Sequence, residues 1–356
     1  MNARYLLIPL LLLWACQPQA QQVETIEGFP LSEDSYKQEL LEQLRDSVDA
    51  QVYKRLNSIV AIKGGKLLFE EYYNGTKRRQ VHDVRSVGKT FASATLGIAI
   101  EEGHIKSVDQ PLSDFYDLKQ YAHYNEAKAN VKLKDLLTMS SSFLGDDNSY
   151  ESPGNEGNMY PQENWVEWAL NLPMDSSRVS GESWAYFTAG VVILGDILEQ
   201  NVPNGLEEYA DEKLFGPLGI NRYFWEYTPQ RVANTAGGIR LTPLGFAKFG
   251  QLYLQDGKWG DQQILPAQWV KDSHTAYLTA YGPNEYGYLW WIKSYEVGDK
   301  SYKTHYCSGN GGNKIFVFKE LDMVIVVTAS AYGQRYGHRQ IDDIMQRYIL
   351  PAVISP

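Results

Sequence analysis

Residues 86–103 read SVGKTFASATLGIAIEEG, and this stretch decides how the rest of the chain is interpreted. Its small and apolar residues predict a helix from Val87 to Glu102, which Gly103 closes. Ser86 and Lys89 stand three residues apart at the start of that helix, so their side chains share one face. The hydroxyl and the amine are therefore expected to meet.

A serine paired with a lysine in this way suits nucleophilic catalysis. A serine hydroxyl is a weak nucleophile at neutral pH, and a neutral lysine amine can take its proton. Lowering a lysine pKa from ~10.4 to near 7 costs about 4 kcal/mol, which burial and nearby positive charge can supply. The helix N-terminus also directs N–H groups toward the serine, which suits an oxyanion. Taken alone, Ser-x-x-Lys recurs by chance about once in a chain of this length, so a helix start with a solvated lysine is the alternative.

Strand-like segments lie at both ends of the chain, and helical segments lie between them. The predicted strands are 58–63, 66–73, 302–308, 314–318 and 323–330, with a Gly64-Gly65 hairpin turn between the first two. Further helices are predicted over 36–48, 133–139, 162–170, 189–200, 206–215, 242–256 and 340–350. We therefore expect an α/β (α+β) fold, in which an antiparallel sheet built from both chain ends carries flanking helices and an inserted helical subdomain over roughly 86–220.

Longer segments resemble the β-lactamase-related serine hydrolases, a family that includes class C β-lactamases, D-alanyl-D-alanine carboxypeptidases, esterases and 6-aminohexanoate-dimer hydrolases. Besides Ser86 and Lys89, the matching segments are DLLTMSS at 135–141, GIRLTP at 238–243 and YGYLWW at 286–291. The resemblance implies a β-lactamase/transpeptidase-like fold over a domain of 36–350. It also implies an acyl-enzyme on Ser86.

The family's second motif, Tyr-x-Asn, falls on Tyr186-Phe187-Thr188. Tyr186 matches, and the resemblance makes it the second general acid/base candidate, because a phenol can shuttle a proton between nucleophile and leaving group. Thr188 departs from the motif, since a hydroxyl replaces an amide with two donors. A place in the substrate cleft is still expected for Thr188.

The third motif, a basic residue followed by Thr or Ser and then Gly, falls on Cys307-Ser308-Gly309. These three residues are expected to line the cleft, and the amide of Asn310 would join the amide of Ser86 as the oxyanion hole. The basic residue is missing, so recognition of a substrate carboxylate on this strand, and with it efficient β-lactamase activity, is disfavoured. The segment resembles the branch of 6-aminohexanoate-dimer hydrolases, which hydrolyse linear amides and esters.

Other nucleophiles are less well supported by the sequence. Cys307 with His305 lacks an activating helix end, and no Gly-x-Ser-x-Gly elbow supports a Ser-His-Asp site. His82 is interpreted as a structural or rim residue. Trp290 and Trp291 are interpreted mainly as core residues, although one of them could line the cleft.

The first sixteen residues predict export. Arg4 precedes an apolar stretch too short to span a bilayer, and Leu13-Trp14-Ala15-Cys16 resembles the bacterial lipobox, in which the cysteine is acylated. A plain cleaved signal peptide is the alternative. Residues 17–35 are polar and Gln-rich, and they are interpreted as a flexible tether. We expect a lipid-anchored protein of a bacterial cell envelope, facing the periplasm or the outside.

Composition narrows the remaining choices. The 356 residues carry a formal net charge of −10 without a basic stripe, which argues against nucleic acid as a partner. Six scattered histidines predict neither metal nor cofactor, and Cys307 alone leaves no internal disulfide. The expected function is hydrolysis of a small-molecule amide or ester. The alternatives are a catalytically weak envelope protein that binds peptidoglycan-like or peptide ligands, and a D-Ala-D-Ala carboxypeptidase-like enzyme.

Overall fold

The computed structural model describes residues 25–354, in which one eight-stranded sheet forms the centre. Its strands are β1 (Leu56–Lys63), β2 (Lys66–Tyr72), β3 (Leu278–Thr279), β4 (Glu285–Tyr286), β5 (Trp291–Val297), β6 (Lys300–Gly309), β7 (Asn313–Phe318) and β8 (Met323–Ala329). The order across the sheet is β3-β4-β5-β6-β7-β8-β1-β2, and every neighbouring pair is antiparallel. The N-terminal hairpin therefore completes a sheet made mainly by the C-terminal part of the chain, as predicted.

The turn between β1 and β2 follows the sequence prediction. Gly64 and Gly65 both have positive φ, at 57° and 71°, and Lys63 faces Lys66 across the hairpin. A two-residue turn of this hand matches the twist of the strands, and glycine adopts it without a steric penalty.

Side chains alternate between the two faces of the sheet, because successive residues of a strand point to opposite sides. On β1, Val60 and Ile62 join the apolar core shared with the helical region, whereas Ile59 and Ala61 join a second core. This second core lies against the helices of the chain ends. The sheet is therefore buried on both faces, and its strands have almost continuous apolar sequences.

The helices form two groups, one between β2 and β3 and one made by the chain ends. The first group is α2 (Lys89–Glu101), α3 (Glu126–Ala129), α4 (Leu133–Leu137), α5 (Glu156–Met159), α6 (Trp165–Leu170), α7 (Thr188–Asn201), α8 (Leu206–Ala210), α9 (Pro243–Leu254) and α10 (Ala267–Ser273). The second group is α1 (Gln38–Asp49), α11 (Tyr336–Ile344) and α12 (Leu350–Ile354). No helix within residues 25–354 is long and apolar enough to cross a membrane.

Three helices of the first group position the site. α2 and α7 pack against each other and are buried over most of their length. α9 lies on β7, β8 and β1, and it begins as predicted, with Thr242 accepting a hydrogen bond from the Gly245 amide and Pro243 in the first turn. α10 (Ala267–Ser273) follows α9 and lies outside the predicted helices.

The first described residues form a short hairpin that packs on the domain. Thr25–Ile26 pairs with Phe29–Pro30, and Phe29 is buried with its ring edge-on to Trp259 at a centroid distance of 5.6 Å. The interpretation of 25–35 as part of a flexible tether is therefore corrected, because burial of this aromatic ring holds the segment on the domain. The predicted leader over 1–16, with Cys16, and the first part of the tether lie outside the described residues.

We predict that Gly97→Ala in α2 destabilises the domain. Alanine normally stabilises a helix interior relative to glycine by ~1 kcal/mol, but a Cβ at position 97 would stand 2.5 Å from the ring of Trp269. Overpacking of this kind costs about 1–3 kcal/mol. The midpoint of urea unfolding should fall, whereas the exposed Gly157→Ala in α5 should leave it unchanged or raise it. A raised midpoint for Gly97→Ala would show that the contact with Trp269 yields without cost, because only the helix gain would remain.

Candidate active site

Ser86 lies in a tight turn that precedes α2. The helix itself begins at Lys89, because residues Arg85–Gly88 form one turn of 3₁₀-helix. Arg85 holds a positive φ of 54°, and its amide donates to Oδ1 of Asp83 at 2.9 Å. The Arg85 guanidinium stands 4.6 Å from the centroid of the Tyr332 ring. These contacts hold a backbone conformation that non-glycine residues rarely adopt, and they present Ser86 to the cleft.

Lys89 meets Ser86 as the spacing predicts. Its Nζ lies 2.8 Å from Ser86 Oγ and also donates to the carbonyl oxygen of Ala236. The side chain is 2% exposed. Burial lowers the pKa of Lys89, because desolvation disfavours the charged amine, while the carboxylates of Glu156 and Asp147 oppose this shift. Burial therefore favours the neutral amine beside the serine hydroxyl.

Tyr186 reaches the same place from the segment before α7. Lys89 Nζ lies 5.4 Å from the centroid of its ring, and the ring stacks on Trp291 at 6.0 Å. Burial raises the pKa of the Tyr186 phenol well above its usual value, and the neighbouring Ser86 hydroxyl partly opposes that rise. The structure thus brings Ser86, Lys89 and Tyr186 together around one point.

The end of β6 forms the facing wall of a cavity of about 780 Å³, which Ser86, Ser308, Gly309 and Asn310 line. A Cβ at Gly309 would overlap the carbonyl oxygen of Val84, so only glycine lets the strand approach the serine turn this closely. Asn310 is held by its Oδ1, which accepts from the Gly333 amide at 2.9 Å. Asn310 therefore lines the same cavity as Ser86.

Two predicted cleft residues lie elsewhere. Thr188 is fully buried in the first turn of α7, where its amide donates to Oδ2 of Asp147 at 2.7 Å. Cys307 is also fully buried, and its Sγ lies 3.4 Å from Thr90 Oγ1. The prediction that these two side chains line the cleft is therefore wrong, because helix and strand geometry turn both of them into the core. Burial also raises the pKa of the Cys307 thiol, which argues against a cysteine nucleophile.

A cation does stand beside the third motif, although Cys307 does not supply it. Lys314 of β7 faces Ser308 of β6 in the ladder, and its Nζ donates to Ser308 Oγ at 2.7 Å. The Lys314 side chain is buried, and burial, together with the positive charge of Lys293, lowers its pKa to about 7. The neighbouring strand therefore carries a base that β6 lacks, and with a pKa of about 7 this base is partly charged at neutral pH.

Further charged groups surround Lys314 at this end of the cavity. Lys293 of β5 forms an ion pair with Asp342 of α11, which also accepts from the Tyr295 hydroxyl at 2.7 Å. Arg335 and His338 line the same cavity. This end of the cleft is therefore mainly basic.

Two carboxylates that the sequence analysis did not identify lie near Lys89 and Tyr186. Asp147 accepts from the amides of Thr188 and Glu156, each at 2.7 Å, and its own amide donates to the carbonyl oxygen of Tyr186 at 2.8 Å. Burial, reinforced by the charge of Glu156, raises the pKa of Asp147 to about 6. Both residues belong to 146–160, a segment without a recognisable motif, so only its position before Tyr186 could have indicated them.

The remaining predicted residues have structural positions. His82 lies 3.1 Å from Asn313 Oδ1 through its Nε2, away from the serine turn. Trp290 is fully buried, whereas Trp291 lines the cavity. Residues 25–354 contain no group of three or more His, Cys, Asp or Glu side chains that could hold a metal ion.

Comparison with known families accounts for this arrangement. A model of the beta-lactamase family matches residues 51–346. The chain belongs to the beta-lactamase family. Its mixed α/β architecture with a large antiparallel sheet is that of the β-lactamase/transpeptidase-like fold, as the resemblance in the sequence implies.

Solved structures of hydrolases share this beta-lactamase-family fold at low sequence identity. A candidate 6-aminohexanoate-dimer hydrolase from Bacillus anthracis has a TM-score of 0.70 and 20% identity, covering 92% of this chain and 88% of its own. EstCE1, described as a hydrolase with promiscuous acyltransferase activity, has a TM-score of 0.67 and 16% identity, covering 86% and 98%. A class C beta-lactamase has a TM-score of 0.67 and 16% identity, covering 90% and 96%.

We predict that Glu156→Gln lowers the pKa of Asp147 from about 6 toward its usual value near 3.8, because removal of a neighbouring negative charge favours the ionised carboxyl. A titration of the side-chain carboxyl signals by ¹³C NMR measures this shift. Glu151→Gln, an exposed change in the same segment, serves as the matched control and should leave the Asp147 titration where it is. If Glu156→Gln leaves it unchanged too, burial alone sets this pKa.

Proposed function

We propose that this beta-lactamase-family protein is a serine hydrolase that cleaves a small amide or ester through a Ser86 acyl-enzyme. The observation that carries the proposal is the 2.8 Å contact between Ser86 Oγ and the buried amine of Lys89. A desolvated amine at this distance can accept the serine proton, which makes the hydroxyl an adequate nucleophile. Tyr186 lies close enough to both groups to take part in proton transfer.

The first half of the reaction forms the acyl-enzyme. Neutral Lys89 takes the proton from Ser86 as Oγ attacks the substrate carbonyl carbon. The amides of Ser86 and Asn310 stabilise the oxyanion, and each such donor typically contributes ~10²–10³ in rate. When the tetrahedral intermediate collapses, the bond to the leaving group breaks, Tyr186 passes a proton to the departing nitrogen or oxygen, and protonated Lys89 returns one to Tyr186.

The second half releases the acyl group. Neutral Lys89 removes a proton from water as the water oxygen attacks the ester carbonyl carbon on Ser86. When this second intermediate collapses, Tyr186 gives a proton to the departing serine oxygen, and protonated Lys89 returns one to Tyr186. The same two groups therefore act as base and acid in both halves. The raised pKa of Tyr186 suits its phenol as a proton donor. The lowered pKa of Lys89 suits its amine as the first proton acceptor.

Similar hydrolases and the charges of the cleft bear on the class of substrate. Similarity to a candidate 6-aminohexanoate-dimer hydrolase and to EstCE1 supports linear amides and esters. The basic groups beside Ser308 remove the charge argument against β-lactams, so these belong in the same substrate screen. The alternative of a weakly catalytic envelope protein drew on Thr188 and Cys307, and both are buried away from the cleft. We place the activity at a cell-envelope surface, because the N-terminal segment predicts export and acylation of Cys16.

We predict that a short p-nitrophenyl ester labels Ser86 or is turned over by the wild type. Ser86→Ala should abolish the adduct, and Lys89→Ala should slow acylation by about 10²–10⁴-fold, the range for loss of a general base. Tyr186→Phe should slow acylation less with this ester, because p-nitrophenolate departs without needing a proton. Intact-mass spectrometry combined with product release measures both quantities. Tyr281→Phe, a change at another tyrosine of the cavity, is the matched control and should keep most activity. Turnover that survives Ser86→Ala contradicts the proposal.

A second prediction concerns pH. Because the neutral form of Lys89 is the base, kcat/KM should rise as pH rises through the pKa of this amine. The carboxylate of Glu156 raises that pKa, so Glu156→Gln should move the rising limb to lower pH, and Glu151→Gln should not move it. A pH–rate profile of the three proteins on one neutral ester measures the shift. Movement of the limb to higher pH in Glu156→Gln would exclude Lys89 as its origin.

A further inference from the structure

A second cavity, of about 740 Å³, lies where the short hairpin of residues 25–30 meets the start of α9. Its walls are the turn of that hairpin, the segment 216–222 and the first turn of α9. It shares no lining residue with the active-site cavity. Nothing in the proposed hydrolysis uses it.

Lys248 of α9 lines this cavity. Its side chain is 6% exposed, and its Nζ donates to the carbonyl oxygen of Gly219 at 2.8 Å. The residues around its end are glycines, so a Cβ at Gly28 would lie 3.9 Å from Lys248 Cε and one at Gly219 would lie 3.4 Å from Nζ. Both glycines have positive φ, at 95° and 61°. The two glycines therefore leave open space around the buried amine of Lys248.

Three arginines line the same cavity, namely Arg78, Arg79 and Arg222. Arg78 pairs with Glu70, and Nε of Arg79 lies 3.9 Å from Glu27 Oε1. Among the residues that the structure describes, Arg222 has no carboxylate within ion-pair distance. Burial lowers the pKa of the Lys248 amine, and the carboxylate of Glu27 opposes this shift. The three arginines alone face two carboxylates, which leaves at least one positive charge uncompensated.

We propose that this cavity binds a phosphate group. Guanidinium groups match phosphate oxygens with paired N–H donors, and an ammonium adds a point charge. Thr242 and Gly245 in the first turn of α9 also line the cavity, so the positive end of a twelve-residue helix faces the same space. A net positive charge suits a phosphate ester better than a neutral polar ligand.

The phosphate could belong to the headgroup of an anionic phospholipid or to a soluble phosphate ester. Thr25 lines the cavity and follows Cys16 by nine residues, a length of chain that spans at most about 30 Å. If Cys16 carries a lipid anchor, as the sequence predicts, the cavity lies within reach of the membrane surface. This position favours the lipid source, and the test separates the two.

The experiment uses the full chain and two probes. Binding of inorganic phosphate is measured by calorimetric titration. Binding of lipid is measured by flotation, in which phosphatidylglycerol vesicles are compared with phosphatidylcholine vesicles. The comparison cancels the affinity of the apolar leader for the lipid interior that both kinds of vesicle share. Arg79→Ala and Arg222→Ala should each weaken the binding at least 10-fold. Arg347→Ala is the matched control, because this exposed arginine also pairs with a carboxylate but lies in the C-terminal helical segment. It should bind as the wild type does.

Each outcome decides the proposal. Binding of phosphatidylglycerol vesicles alone supports the site with a lipid source, and binding of inorganic phosphate as well supports it with a soluble one. Absence of both kinds of binding overturns the proposal, as does equal weakening in all three arginine variants, because that result indicates attraction by overall charge. Ser86→Ala should bind both probes normally, and Arg222→Ala should keep ester turnover, so the site and the hydrolase are tested separately.

Discussion

Burial of the Lys89 amine beside Ser86 is the constraint on which the rest of the site depends. The amine lies between the first turn of α2, the carbonyl of Ala236 and the ring of Tyr186, with almost no access to water. Removing a lysine from water is costly unless it gives up its charge, so the same packing that completes the core also supplies a base. A serine three residues earlier on one helix face then has a proton acceptor at hydrogen-bond distance.

The cleft around this pair has opposite electrostatic character at its two ends. Asp147 and Glu156 lie near Lys89 and Tyr186, whereas Lys314 and Lys293 lie beyond Ser308. The carboxylate of Asp147 accepts from the first amides of two helices, and the amide of Asp147 donates to the carbonyl oxygen of Tyr186, so this residue positions Tyr186 as well as contributing charge. Charge and scaffold are therefore coupled at the acidic end of the cleft.

Much of the fold could be predicted from local patterns, and the reasons are local as well. The hairpin of β1 and β2 has two glycines that adopt its turn, and α9 has a threonine cap followed by proline. The tether was misjudged at 25–35, because a single buried ring, Phe29, outweighs a polar composition that favours disorder. Thr188 and Cys307 were misplaced, because a motif gives the spacing of residues and not the face on which each side chain lies.

Sequence alone determined the pairing of Ser86 with Lys89, the helical and strand segments and the family resemblance, since these depend on residue types a few positions apart. Only the tertiary structure decided which charges share the cleft. Lys314 is six residues from Ser308 along the chain, yet strand pairing places their side chains in contact. Asp147 and Tyr186 are far apart in sequence. They meet because the first amides of α5 and α7 both donate to the carboxylate of Asp147. Electrostatic interactions depend on distance in space, and no local pattern records that distance.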